Sequence, residues 1–265
     1  MTGMETIKTD VQSQFGKSAA SYVTSEIHAK GKDLAKLMEI ANLSGKEQVL
    51  DVATGGGHVA NALAPLTAKV VAFDLTNEIL QEAKGFIDKN GHSNVAFVQG
   101  DAEQMVLPAH QFDVVTCRIA AHHFPHPERF VSEVFRVLKP NGAFLLIDNV
   151  APEREDFDLF YNKVEKERDH SHHRAWKKTE WFTMLEVAEF EIDETYRFPK
   201  TFNYEDWCNR MHLSEEKKVA LSAYMLEQTT DFQEKFRIKS ENGKVVSFNG
   251  ESILIKAIKP PFNVV

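Results

Sequence analysis

The chain has 265 residues, 43% of them hydrophobic, and a formal charge of −8. That acidic balance argues against a general nucleic-acid surface, which needs a basic stripe against phosphates. Two cysteines, Cys117 and Cys208, cannot build a disulfide framework, and no apolar run approaches the roughly 20 residues of a membrane span. The polar start, Met1 to Asp10, lacks the apolar stretch of a signal peptide. A cytoplasmic protein with no stable membrane association and no nucleic-acid partner is expected.

In chain order, Phe15, Ala19 and Tyr22 fall on one helical face. Short apolar runs then predict strands at 48–52, 69–74, 95–99, 112–117 and 143–148. They are nearly continuous in apolar content, as parallel strands covered on both faces are. Helical patterns separate them. The first, 58–64, follows three glycines. The second, 77–90, carries the stripe Ile79, Leu80, Ala83, Phe86 and Ile87, and ends at Asn90-Gly91. The third, 128–138, carries Phe130, Val131, Val134, Phe135 and Leu138, and Lys139-Pro-Asn-Gly142 ends it. Beyond 150 a charged helix is expected at 153–168, a basic histidine-rich connection at 169–178 and a helix at 179–188. A sixth strand follows at 189–198, helices at 204–210 and 214–227, and a last strand at 252–259. The alternation predicts one domain, residues 1–265. It is an α/β fold with a doubly wound, mostly parallel seven-stranded sheet and a C-terminal helical cap insertion. The core is 10–150, and acceptor-side cap elements fall at about 151–188 and 200–250.

The densest chemical signal is Val49-Leu-Asp51-Val-Ala53-Thr-Gly55-Gly-Gly57 followed by Val70-Val-Ala-Phe-Asp74. Glycines at a strand-to-helix turn let backbone N–H groups approach a ligand closely. Gly55, Gly57 and Ala60 satisfy the dinucleotide fingerprint, and Asp74 lies near the distance of a ribose partner. A nicotinamide-dependent oxidoreductase is therefore one reading. Three features oppose it. Asp51 places a carboxylate where a pyrophosphate would sit, whereas a cofactor bearing an ammonium and a sulfonium tolerates it. Asp101, after the third strand, is placed to accept from an adenine amino group. Tyr196 and Lys200 have a dehydrogenase spacing, but Pro199 between them opposes the helix that would align them.

Asp51-Val-Ala-Thr-Gly55-Gly-Gly57, Val71-Ala-Phe-Asp74-Leu75-Thr76, Gly100-Asp101-Ala102-Glu103 and Phe112-Asp-Val-Val-Thr-Cys117 stand in the motif order of the class I S-adenosylmethionine-dependent methyltransferases. Phe135-Arg-Val-Leu-Lys139-Pro-Asn-Gly142 continues the series. The chain resembles that family over roughly residues 10–150, and most nearly its ubiquinone/menaquinone-biosynthesis subgroup. Ala53 departs from the pattern, where the family usually has a glycine; alanine fits if its φ is negative. The resemblance implies S-adenosylmethionine as cofactor. It implies that Gly55 and Gly57 shape the turn around the methionine part and that Asp51 helps hold it. Asp74 would accept from the ribose hydroxyls with Leu75 on adenine. Asp101 would meet the adenine amino group beside Ala102, and the backbone near Arg118 would lie by the ammonium. The helix around Phe15–Tyr22 resembles one that closes over the cofactor.

Methyl transfer needs alignment of donor and acceptor, and a base where the acceptor must lose a proton. Cys117-Arg118-Ile-Ala-Ala-His122-His123 follows the fourth strand, where this fold places its acceptor. His122 and His123 are candidates for a base or an orienting group. Arg118 would bind an anionic acceptor or pair with a carboxylate. Six histidines lie between 122 and 173, but their spacing matches no compact ligand motif, so no metal is expected. The stretch 168–176 would roof the acceptor pocket, with Trp176 and Trp181 as aromatic surface or core. The expected activity is methylation of a small, partly apolar molecule. A cofactor-binding regulator without turnover is a further reading.

Overall fold

A computed structural model describes Lys8 and residues 31–261 of the chain. The proposed closing helix at Phe15–Tyr22 lies outside the described residues.

Five parallel strands form at the apolar runs, β1 (Gln48–Val52), β2 (Lys69–Asp74), β3 (Val95–Gln99), β4 (Phe112–Arg118) and β5 (Leu138–Asn149), the last beginning five residues before the expected 143 and taking in the polar Lys139–Gly142 stretch. Two antiparallel strands, β6 (Glu191–Asn203) and β8 (Lys244–Ile258), extend the sheet. The order is β3-β2-β1-β4-β5-β8-β6, and a short β7 (Lys239–Glu241) pairs with β8. The order reverses at β1 and β4, so the carboxyl ends of these strands open a crevice. The central strands are buried on both faces. By contrast β3 and β6 are edge strands, and β6 alternates exposed with half-buried residues.

The described helices are α1 (Lys32–Ile40), α2 (His58–Leu63), α3 (Asn77–Lys89), α4 (Pro127–Val137), α5 (Glu155–Arg168), α6 (Lys178–Val187), α7 (Tyr204–Asn209), α8 (Glu215–Leu226) and α9 (Thr230–Lys235). The apolar stripe of α3 is buried at Ile79, Leu80, Ala83 and Ile87. Pro127 opens α4, a position where its missing N–H costs nothing. On one face of the sheet, α1 and α2 pack through Leu34, Leu37, Ala60 and Leu63 against Val49, Val70 and Leu145. On the other, α4 and α6 cover Leu50, Phe73, Val115 and Phe144, and Trp181 is buried among them. That tryptophan is core, not acceptor surface.

The sheet is longer at its C-terminal end than the sequence pattern predicts. Strand β6 runs five residues past Phe198, and β8 begins eight residues before Ser252. Polar residues hide both extensions from a periodicity reading. Between them α7, α8 and α9 pack on α5 around Phe157, Phe160, Trp207, Met225, Phe236 and Phe248. The 200–250 stretch is thus part sheet and part helix.

Candidate active site

The turn after β1 brings most of the sequence-derived residues together. Gly55 and Gly57 have φ of +53° and +79°, in the left-handed region that glycine enters without steric cost. A Cβ at Gly57 would meet Ala83 Cβ at 3.1 Å, so glycine also allows α3 to approach. Ala53 corrects the expectation of a negative φ: it stands at +51°. The turn fixes it there, because Thr54 N–H donates to the Phe73 carbonyl at 3.0 Å and Gly57 N–H to the Thr54 carbonyl at 2.9 Å.

Asp51, at the end of β1, holds the turn from inside. One oxygen accepts from Thr54 Oγ1 at 2.6 Å and from the Ala60 amide at 3.2 Å; the other accepts from Thr116 Oγ1 at 2.8 Å. Burial pushes its carboxyl up to about 6, against the pull of those donors. Asp74, at the end of β2, accepts the amides of Gly55 and Thr76, each at 3.0 Å. Burial raises its pKa as well. Asp101 follows β3. Its carboxylate accepts from the Glu103 amide at 2.9 Å and pairs with Lys8 Nζ at 2.6 Å, which also reaches Glu103 at 2.6 Å. Sequence reading missed Lys8, because nothing local ties residue 8 to residue 101.

Arg118 ends β4 and forms a two-point pair with Asp33 of α1, at 2.8 and 3.1 Å. Burial works against the Asp33 carboxylate, but the Arg118 hydrogen bonds outweigh it and hold its pKa low. Ile119 then takes φ +55°, and a tight helical turn over Ala121–His123 carries the two histidines. Both are buried, with ring centroids 4.2 Å apart. His122 Nδ1 lies 2.6 Å from Asp148 Oδ1 at the end of β5, and its amide donates to the same carboxylate at 2.7 Å. Burial opposes the charged ring, but the Asp148 charge prevails and raises the pKa. His123 Nδ1 lies 3.0 Å from the Ser171 carbonyl, so that nitrogen carries the proton. Burial, then the neighbouring His122 charge, pushes the His123 pKa down to about 4. The stretch expected as a roof, 168–176, contributes no residue to the lining of the cleft; it packs behind the histidine turn, where the His173 and Arg174 amides donate to the His122 carbonyl at 2.9 Å each. Among the described residues no group of three or more His, Cys, Asp or Glu side chains is arranged to hold a metal ion.

These residues surround one cleft of about 1110 Å³, its open mouth included. Ala53, Gly55, Asp74, Leu75, Asp101, Ala102, Arg118 and His123 all border it, and Asp51 does so from beneath the turn; Gly57 and His122 stand behind its wall. Thr54, Ile79, Glu103 and Phe124 also line it and were not singled out in the sequence. Among the described residues, four carboxylates, Asp51, Asp74, Asp101 and Glu103, face two cations, Lys8 and Arg118. That excess of negative charge suits a cationic sulfonium cofactor and opposes a pyrophosphate. A Cβ at Gly55 would meet only the Ala53 carbonyl at 4.0 Å, so the glycine leaves open space on the cleft side of the turn. The residues present therefore fit S-adenosylmethionine. Tyr196 and Lys200, by contrast, stand on strand β6 and form no helical dehydrogenase pair.

A methyltransferase-domain family model matches residues 50–146. The uncharacterized methyltransferase YcgJ of Bacillus subtilis (strain 168) is 33% identical over 249 residues, 94% of this chain and 98% of that protein. Its crystal structure aligns at 32% identity with a TM-score of 0.85, over 87% of this chain and 99% of that one. The crystal structure of a protein assigned as a methyltransferase from Bacillus halodurans C-125 is 62% identical. It aligns with a TM-score of 0.86, over 87% of this chain and all of that one. The ubiquinone/menaquinone biosynthesis C-methyltransferase of Stutzerimonas stutzeri (strain A1501) is 30% identical over 129 residues, 47% of this chain and 50% of that protein.

The chain belongs to the class I S-adenosylmethionine-dependent methyltransferases. It is an enzyme of that family and S-adenosylmethionine is its cofactor. Its likeness to the ubiquinone enzyme stops at half of that protein. No helix among the described residues is long and apolar enough to cross a membrane.

Proposed function

We propose that the chain methylates a small, partly apolar molecule. The observation that carries this reading is the cleft itself: one recess at the carboxyl ends of β1, β2 and β4, walled by Phe73, Ile79, Ala102, Ile119, Ala120 and Phe124. The group that takes the methyl must reach into this apolar-walled recess beside the cofactor, which suits a small molecule better than a folded surface. The cofactor supplies a methyl group on a sulfonium, already bonded to a good leaving group.

The protein's part is to hold, orient and exclude water. When the cofactor binds, Asp74 would accept from its ribose hydroxyls, with Leu75 against the adenine. Asp101 and Ala102 would flank the adenine, and Lys8 pairs with the Asp101 carboxylate. Gly55 and Gly57 open the turn to the methionine part, and Asp51 fixes that turn. The Arg118–Asp33 pair holds the end of β4, whose backbone would lie beside the cofactor's ammonium. His123 stands at the acceptor wall. Its Nδ1 faces the Ser171 carbonyl, and its ring borders the cleft where it would orient a hydroxyl or amine. His122, whose pKa the Asp148 carboxylate raises, stands behind it.

The test is transfer of a tritiated methyl group from S-adenosylmethionine to a panel of small phenols, acids and amines, with S-adenosylhomocysteine as inhibitor. Transfer to a panel member, suppressed by S-adenosylhomocysteine, supports the reading. Transfer only to added protein or nucleic acid overturns it.

A further inference from the structure

The histidine-rich connection after α5 lines no part of the cleft, yet it reaches the cleft through His123, which borders it. Asp169 and Ser171 stand on that connection and are 3% and 1% exposed. The Asp169 amide donates to the Glu165 carbonyl at 2.9 Å, so the turn continues from α5. Lys166 Nζ clamps it from α5 by donating to the carbonyls of His170 at 2.6 Å and His172 at 2.8 Å.

The protons along this path have set destinations. The Ser171 hydroxyl donates to Asp169 Oδ1 at 2.6 Å, and the Ser171 amide donates to the same oxygen at 2.9 Å. A serine hydroxyl has one proton. With that proton committed to Asp169, Ser171 Oγ presents a lone pair to His123 Nδ1, 3.3 Å away. The Ser171 carbonyl lies 3.0 Å from the same nitrogen. Nδ1 thus faces two acceptors and carries the proton of the neutral ring, which puts the ring's lone pair on Nε2. A hydroxyl released from Asp169 could turn and donate to Nδ1 instead, moving the ring proton to Nε2.

The charges agree with this path. Burial, then the His122 charge, pushes the His123 pKa down to about 4, while the Asp169 charge pulls it up. Burial works against the Asp169 carboxylate, but the His123 charge and the Ser171 hydroxyl outweigh it and hold its pKa low. A proton gained by the His123 ring therefore meets a buried carboxylate one hydroxyl away. His122 has its own carboxylate, Asp148, at 2.6 Å.

We propose that Asp169, acting through Ser171 Oγ, is the positioning residue that sets His123 to receive a proton from the methyl acceptor. The methylated atom is then an oxygen or nitrogen that carries hydrogen. Its proton passes to His123, its electron pair forms the bond to the methyl carbon, and the bond from that carbon to sulfur breaks with its pair going to sulfur. The ring returns the proton to water before the next turnover. The inference rests on the reading that a small molecule lies beside His123.

The test is a long-range nitrogen–proton correlation spectrum of protein carrying nitrogen-15 histidine, saturated with S-adenosylhomocysteine at neutral pH. His123 is assigned by the signal lost in His123→Gln. The wild type is expected to be protonated at Nδ1. Asp169→Ala is expected to populate the Nε2-protonated ring, and Asp169→Asn, which keeps an oxygen for the serine, is not. The double variant Asp169→Ala/Ser171→Ala is expected to recover the Nδ1 pattern, because the misdirected donor is gone. On a hydroxyl or amine that the enzyme methylates, Asp169→Ala should lower kcat at least about tenfold, within the reach of a misplaced proton acceptor. The double variant should restore most of it, with acceptor KM and S-adenosylhomocysteine affinity kept throughout. Where Asp169→Ala does not fold, the wild type and Ser171→Ala decide: the Nδ1 proton must be present in both and its resonance must move when the hydroxyl is lost. A proton on Nε2 in the wild type, an Nδ1 pattern that survives Asp169→Ala, no recovery in the double variant, or methyl transfer only to carbon or sulfur overturns the proposal. The expected tautomer changes with transfer only to added protein or nucleic acid keep Asp169 as the positioning residue and sink the small-molecule reading. Methylation of a small hydroxyl or amine with His123 indifferent to Asp169 does the reverse.

Discussion

The Asp74 carboxylate at the end of β2 accepts the amide of Gly55 at 3.0 Å, tying the second strand to the glycine turn after the first. One side chain thus shapes the turn and presents a carboxylate to the cleft. Asp74→Ala is expected to weaken S-adenosylhomocysteine binding by about 10- to 100-fold, the loss of one or two charge-assisted hydrogen bonds. Calorimetric titration checks it; unchanged affinity removes Asp74 from the cofactor site.

Ala53 holds φ +51° where the family pattern has glycine. A left-handed alanine costs roughly 1–2 kcal/mol, partly offset by the extra freedom glycine has in the unfolded chain. Ala53→Gly is therefore expected to stabilise the protein by about 0.5–1 kcal/mol, with cofactor affinity kept or improved. Denaturant unfolding reads the first effect. A destabilised variant would show that the alanine methyl packs usefully and that the strain is small.

Cofactor affinity should depend on pH through Asp51. Its pKa is raised to about 6, so the carboxyl is ionised above that value and protonated below it. A raised pKa means that folding favours the protonated form. Its contribution to stability is present at low pH and is lost as pH rises towards 6. Binding of a cationic cofactor runs the other way, because the cleft gains negative charge on ionisation. S-adenosylmethionine affinity is expected to fall as pH drops from 7.5 to 5, and Asp51→Asn should flatten that profile. Titrations at both pH values decide it, and an identical slope in the variant would assign the dependence to other groups.

The sheet's first five strands and the ring of residues around the glycine turn were legible because both are local. Parallel strands buried on two faces are short apolar runs, and the three carboxylates cluster at their ends: Asp51 one residue before the end of β1, Asp74 at the end of β2 and Asp101 two residues past the end of β3. The long β6–β8 ribbon was only half legible. Its outer halves are polar and pair across about fifty residues, as Lys200 with Gly250 does. Partners were the least legible of all. Nothing near Arg118 points to Asp33, and nothing near His122 points to Asp148, since these pairs exist only once α1 and β5 are laid beside β4. The sign of the Ala53 backbone was misread because the hydrogen bonds that set it involve Phe73, on another strand.

The Arg118–Asp33 pair is buried on both sides. Arg118→Met leaves an uncompensated carboxylate in a site that Arg118 had kept ionised, and is expected to cost about 3–5 kcal/mol of stability. The double variant Arg118→Met/Asp33→Leu should recover much of that loss, because no charge then remains to be desolvated. Equilibrium unfolding of the three proteins gives the coupling, and additive losses would mean that the pair contributes nothing as a pair.

His122 and His123 are adjacent rings with opposite tendencies, one raised by Asp148 and the other depressed to about 4 by burial and by its neighbour's charge. His122→Gln removes that cation, so the His123 pKa should move up from about 4 towards its ordinary range. The Ser171 carbonyl still fixes which nitrogen carries the proton. Ring-proton resonances followed from pH 3.5 to 8 read the shift directly. In turnover, His123→Ala should leave S-adenosylhomocysteine affinity intact and lower kcat, whereas His122→Gln should move the acidic limb of the rate profile upward in pH. A protonated His123 can no longer accept a hydrogen bond from the acceptor, so activity would fail at higher pH than in the wild type. A His123 resonance that stays put in His122→Gln would mean that burial alone sets its state, and the pairing with Asp148 would then serve only to hold the turn.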